Sequence, residues 1–97
     1  MPTYITLGNW TDQGVRNVKD AAKRIDAAKK MMKDAGGEMK AFYMTMGAYD
    51  LVTITEAPND ETVAKILLTI GGLGNVRTTT LRAFSEAETR KIIESMS

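Results

Sequence analysis

The chain has no cysteine and no histidine among its 97 residues, only two prolines and one tryptophan, and a formal net charge of +1. Without thiols there is no disulfide framework, no thiolate metal site and no thiol nucleophile. Without imidazole the commonest general base and the commonest transition-metal ligand are missing, so any catalysis must run on carboxylates, Tyr, Lys, Arg or a bound cofactor. No stretch approaches the ~20 apolar residues that span a bilayer, and the first residues carry no basic segment followed by an apolar run. The expectation is a cytoplasmic protein with no membrane partner.

What is present is enough for one domain, residues 1–97, with 43% hydrophobic residues to close a core without staples. Charge is concentrated between Arg16 and Lys40, a basic segment in an otherwise slightly acidic chain. On the solvent side of the first helix Asp12 and Arg16, Asp20 and Arg24, and Asp26 and Lys30 stand four apart with the acid first, the favourable order for exposed helical ion pairs. A solvated face accounts for these charges. Nucleic acid is not expected as a partner, since there is no cluster of unpaired Arg interleaved with aromatics.

Hydrophobic periodicity gives the elements in turn. Thr3 to Leu7 alternates as a short strand, and Thr11 caps a long helix whose buried stripe is Val15, Val18, Ala21, Ala22, Ile25, Ala28, Met32 and Ala35. Met39 to Met46 and Leu51 to Thr55 are two further strands, joined by a tight turn with Gly47 and Ala48 at its centre. Asn59 or Asp60 caps a helix that buries Val63, Ile66, Leu67, Ile70 and Leu73. Val76 to Ala83 is a fourth strand, and Ser85 with Glu88 forms a capping box for a short terminal helix carrying Ile92, Ile93 and Met96. This order predicts an α+β, ferredoxin-like β-α-β-β-α-β domain with an extra C-terminal helix. It would have one four-stranded antiparallel sheet with both long helices on one face.

Period-two alternation then divides the sheet. The side away from the helices is expected to hold Tyr4, Thr6, Ala41, Tyr43, Thr45, Leu51, Thr53, Thr55, Thr78, Thr80 and Arg82, a surface rich in Thr and poor in Lys and Glu. A second copy's sheet covering it is one reading; a cleft between two such sheets that orients a small polar or anionic ligand is another. Met31 and Leu68 fall off the buried stripes of their helices and hint at contact surfaces. The glycines from Gly71 to Gly74 follow a helix and do not open one, so they make no phosphate loop, and the acids are scattered. No cofactor and no metal are expected.

Nearly the whole length resembles the GYD domain family of small bacterial and archaeal proteins. The resemblance rests on Trp10, Thr11, Gln13 and Gly14; on Lys19 and Arg24; on Gly47, Tyr49 and Asp50, its name motif; on Glu56, Ala57 and Pro58; on Gly74, Asn75, Val76 and Arg77; and on Arg82, Ala83 and Phe84. It implies a ferredoxin-like relative of the dimeric α/β barrels, with no established reaction. More distantly, Gly47, Tyr49, Asp50 and Leu51, with Val76 and Thr78 to Thr80, are similar to the effector-binding domain of leucine-responsive (feast/famine) regulators. There a similar hairpin lies near an amino-acid site between subunits.

Three functions are compatible with these residues. The first is a homo-oligomeric small-molecule binding or sensing domain without catalysis of its own, its ligand held at a subunit interface over the sheet by Tyr43, Tyr49, Asp50, Thr53, Thr78, Thr80 and Arg82. The second is a cofactor-free oxygenase or isomerase of the barrel type using Tyr43, Asn9 or Trp10, which requires a deep enclosed cavity. The third is a structural assembly or protein-interaction module. Tyr49 and Asp50 also have a plain structural role open to them, as turn cover and turn acceptor.

Overall fold

A computed structural model describes residues 1–96; Ser97, the last residue of the expected domain, lies outside the described residues. The strands are β1 (Thr3–Trp10), β2 (Glu38–Met44), β3 (Leu51–Glu56) and β4 (Val76–Ala83). The helices are α1 (Asp12–Arg16), α2 (Ala21–Asp34), α3 (Asp60–Gly72) and α4 (Glu86–Glu94), with a 3₁₀ turn over Val18–Asp20. The sheet is antiparallel in the order β2-β3-β1-β4, the ferredoxin-like arrangement.

The expected first helix is broken in two. Thr11 caps α1 as anticipated, its Oγ1 accepting from the Gly14 amide at 3.1 Å. Asn17 then leaves helical geometry, and a 3₁₀ turn re-aims the chain before α2 begins. The break follows from what α1 must touch. Gly14 is buried against β4's approach, where a Cβ would stand 2.0 Å from the Asn75 carbonyl oxygen, so no larger residue fits without moving backbone. Gly14 therefore faces inward while Val15 and Val18, expected in the buried stripe, are 54% and 41% exposed. The ion pairs among the described residues are Lys30–Asp34, Lys40–Glu38 and Arg90–Glu86, in place of the three expected pairs that begin with Asp12, Asp20 and Asp26.

The β2–β3 hairpin is looser than a two-residue turn. The Thr45 amide donates to the Asp50 carbonyl at 2.8 Å, leaving Met46 to Tyr49 as the loop, with Gly47 at a φ of +146° that side chains rarely adopt. The caps of α3 and α4 form as expected. Asn59 accepts from the Thr62 amide at 2.9 Å, and Ser85 and Glu88 exchange both bonds of a capping box.

The largest correction concerns the faces of the sheet. Register places Tyr4, Thr6 and Gly8 beside Thr55, Thr53 and Leu51 on one flank and Arg82, Thr80 and Thr78 on the other, so these residues do share a face. That face lies under the helices. Tyr4, Thr6, Thr53 and Thr55 are all buried, and Tyr4 packs with Met32 of α2 and with Val63 and Ile66 of α3. A register shift between Met39 and Ala41 moves β2 out of simple alternation, so Met39, Phe42 and Met44 join this side and Ala41 and Tyr43 go to the other. The uncovered face carries Ile5, Leu7, Val52, Ile54 and Leu81, with Ile5 opposite both Ile54 and Leu81 and Leu7 opposite Val52.

Candidate functional site

Beneath the helices the sheet does not close. Between α2, α3 and the threonine face lies a chamber of about 180 Å³. Its floor includes Thr6, Thr53, Thr55 and Phe42; its walls are Ile25, Ala28, Met31 and Met32 from α2 and Val63, Ile66, Leu67 and Ile70 from α3. The sequence explains the space. On the inward side of α2, Ala21 and Ala28 alternate with Ile25 and Met32, and two methyl groups cannot fill a layer that larger residues would. Engineered apolar cavities of roughly 150 Å³ admit benzene, so the chamber has the size of a small ligand.

The hydroxyls on the floor are tied down in part. The Thr6 and Thr80 hydroxyls are 2.9 Å apart and hydrogen-bonded. Beyond Thr55, the Tyr4 hydroxyl donates to the Asp60 carboxylate in the first turn of α3, fixing the helix to the central strand. Burial, first, and then this bond push the Tyr4 phenol up to about 12. Tyr4 is thereby a neutral, structural donor at neutral pH.

The other end of the chamber is bounded by Trp10, Arg24, Asn75, Val76 and Thr78. Here several loops are laced together. Thr11 donates through Oγ1 to the Gly74 carbonyl at 2.5 Å, and its amide donates to the Asn75 carbonyl at 3.1 Å. Gln13 donates through Nε2 to the Leu73 carbonyl at 3.0 Å and to Asn75 Oδ1 at 3.1 Å. Arg24 donates to the carbonyls of Asn17 at 2.9 Å and Gly14 at 3.3 Å, closing the end of α1. On the hairpin side, Asp50 Oδ2 accepts from the Trp10 amide at 3.0 Å, and the Asp50 amide donates to the Gly8 carbonyl at 2.9 Å. Asp50 thus pins the hairpin to β1 and sets where Trp10 stands.

The residues expected to hold a ligand are not brought together at one place. Thr53 and Thr78 line the chamber, and Thr80 lies on the same face, bonded to Thr6. Tyr43 is 59% exposed on the opposite face. Tyr49 stands in the hairpin loop, its carbonyl accepting from Thr45 Oγ1 at 2.5 Å, and Asp50 is engaged as described. Arg82 stacks over the rings of Tyr4 and Phe84, at 5.8 and 4.7 Å from their centroids, and donates to the Thr3 and Ala83 carbonyls. Of the oxygenase candidates Trp10 reaches the chamber, while Asn9 lies on the open side of β1. Met31, off-stripe in sequence, turns out to be chamber wall. Among the described residues no three carboxylates converge as a metal site would require, and no helix is long and apolar enough to cross a membrane.

A four-stranded antiparallel sheet with both long helices on one side, and a space left between the layers, defines a ferredoxin-like α+β domain. Within that class, the GYD domain model matches residues 4–93, and the chain belongs to the GYD domain family. It is 35% identical over 89 residues to a Thermus thermophilus protein named "Glutamine synthetase and cystathionine beta-lyase binding protein", covering 91% of this chain and 94% of that one. Its fold is similar to the crystal structure of TTHA0845 from Thermus thermophilus, with a TM-score of 0.55, 24% identity and coverage of 88% and 95%. It is also similar to the crystal structure of FFRP-DM1, with a TM-score of 0.58, 21% identity and coverage of 87% and 100%. At these identities the structural likenesses speak for the fold. Trp10, Thr11, Gln13, Gly14, Asp50, Gly74 and Asn75, all among the residues on which the resemblance rests, take part in the bonds that lace this end of the chamber.

Proposed function

We propose that the chain is a non-catalytic binding or sensing domain that works as a homo-oligomer, two copies meeting through their open sheet faces and each holding a small molecule in its chamber. The chamber is the observation that carries the reading. Its lining is apolar side chains, hydroxyls, an amide and one guanidinium, which suits holding a ligand more than moving a proton. Pairing is supported by Ile5, Leu7, Val52, Ile54 and Leu81, an apolar cluster on the sheet face turned away from the helices. The reading keeps Thr53, Thr78 and Thr80 on the ligand side, gives Tyr43 to the pairing surface, and leaves Tyr49, Asp50 and Arg82 as framework around the site.

The test is a thermal-shift titration with toluene, a neutral probe that fits an apolar space. It should raise Tm in the wild-type protein and have no effect on Ala28→Phe, whose ring occupies the chamber. No shift in a folded wild type rejects the ligand reading. Light scattering tests the pairing separately, with twice the mass of a 10.6 kDa chain as the smallest supporting result.

A second reading, a module that binds another protein, is favoured by the name of the Thermus thermophilus relative and by exposed apolar residues away from the sheet. Leu68 on α3 and Ile92, Ile93 and Met96 at the C-terminal end are 77%, 46%, 61% and 75% exposed. Surface plasmon resonance against purified glutamine synthetase, with Leu68→Asp and Ile93→Asp as controls, tests it; binding that survives both substitutions counts against this surface.

A further inference from the structure

Apart from the threonine hydroxyls of its floor, the chamber is apolar except at the end where Arg24 lines it, beside Trp10 and Asn75. The guanidinium is held there by its bonds to the Asn17 and Gly14 carbonyls, which leave donors over. Arg24 takes part in none of the ion pairs among the described residues, and Asp20, its expected partner one turn earlier, ends the 3₁₀ turn without pairing with it. A half-buried cation at the end of an apolar space, without a carboxylate beside it, favours an anionic group brought by a ligand.

We propose that the chamber takes a small aromatic or branched aliphatic monocarboxylate. Its carboxylate pairs with Arg24, and its apolar body lies among Ile25, Met31, Phe42 and Ile66. The size suits this class, since a body of about one ring fills a space slightly larger than a benzene-binding cavity. This deepens the small-molecule reading above and rests on it. The bland alternative is that Arg24 does nothing more than brace the end of α1.

Calorimetric titration of the full-length protein with phenylacetate and with its neutral isostere phenylacetamide separates the two. The acid should bind ~10- to 100-fold more tightly than the amide, the range of a charge-assisted bond against a neutral one. Arg24→Gln should abolish that preference, so that acid and amide bind alike, and Arg24→Lys should restore part of it. Equal affinities for acid and amide in the wild type overturn the proposal while leaving the chamber a binding site, and this comparison holds even if the Arg24 variants fail to fold. A preference that persists in a folded Arg24→Gln also overturns it. Binding of neither compound, with toluene also inert, ends both this proposal and the reading on which it rests.

Discussion

The two faces of the sheet differ in chemistry in the opposite sense to their cover. Under the helices lie Thr6, Thr53 and Thr55, with the Thr6 hydroxyl satisfied by Thr80 and the Tyr4 hydroxyl by Asp60. Facing away lie Ile5, Leu7, Val52, Ile54 and Leu81, with no element among the described residues over them. In an antiparallel sheet covered on one side, the apolar residues normally face the cover. Here the polar-lined side is covered and the apolar side is bare. The difference is the ground of the proposed pairing: the helices bury one side of the sheet around a chamber, and a second copy would bury the other.

Adjacent residues of β3 give the sharpest way to break that comparison. A lysine at Thr53 puts a charge under the helices and should cost about 3 kcal/mol or more, enough to unfold much of the protein. A lysine at Ile54, one residue on and on the other face, should leave a folded chain with unchanged far-ultraviolet circular dichroism. Scattering should then report a single 10.6 kDa species, where the proposed pairing gives the wild type at least twice that mass. If Ile54→Lys unfolds the chain and Thr53→Lys only changes its mass, the faces are the wrong way round.

Truncations on the two sides sharpen the same contrast at smaller amplitude. Ile66 is 7% exposed in the core, and Ile66→Ala should cost ~2–4 kcal/mol in urea melts. Leu81 is 49% exposed, and Leu81→Ala should move the melt by less than about 1 kcal/mol at concentrations where the chain is dispersed. Its effect should grow with protein concentration, because a residue buried only by a partner contributes only when the partner is bound.

Much of the fold was legible in the residues. Two capping signals, at Asn59 and at Ser85 with Glu88, lie where the structure uses them, and strand alternation correctly grouped Tyr4, Thr6, Thr53, Thr55, Thr78, Thr80 and Arg82 on one face. Alternation fixes which residues share a face but not which face the helices choose. With Thr on one side and Ile, Leu and Val on the other, ordinary burial points the wrong way unless a second cover is counted. The bulge near Lys40 was silent for a different reason, since no glycine or proline marks it, and it carried Tyr43 away from the threonines. The chamber had a signal that was present and unread: alanines at positions 21 and 28 of an otherwise bulky inward stripe. Gly14 had one too, a glycine just inside a helix where a close backbone approach is the usual reason.

A test of intermediate size concerns the bond that ties the covered face to its helix. Tyr4→Phe removes the donor to Asp60 and should cost about 1 kcal/mol. Its pH dependence says more. The Tyr4 phenol is raised from 10.0 to about 12 in the folded chain, so its neutral form is favoured by folding. That contribution is fully present below pH 10 and is lost as the pH rises towards 12. Wild-type Tm should therefore fall over this alkaline window, and Tyr4→Phe should flatten that part of the curve. An equally steep fall in the variant would mean that the titration belongs to another group.

The smallest expected effect lies at α4, a helix with no buried residue. Ser85 and Glu88 exchange capping bonds, and the Ser85 amide holds the Glu88 carboxyl below its ordinary value. Ser85→Ala should loosen this helix by about 1 kcal/mol, read as faster amide exchange over residues 86–94, with little change in the global melt. Because the Glu88 value is depressed, the cap's contribution is present above the ordinary glutamate range and is lost as pH falls through the folded value. With Ile92, Ile93 and Met96 exposed, α4 has no apolar anchor among the described residues. If the outside partner that covers the open sheet also receives this helix, exchange in α4 should slow with rising protein concentration in the wild type and in Ser85→Ala alike. Exchange that ignores concentration, alongside a mass that responds to it, would confine the pairing surface to Ile5, Leu7, Val52, Ile54 and Leu81.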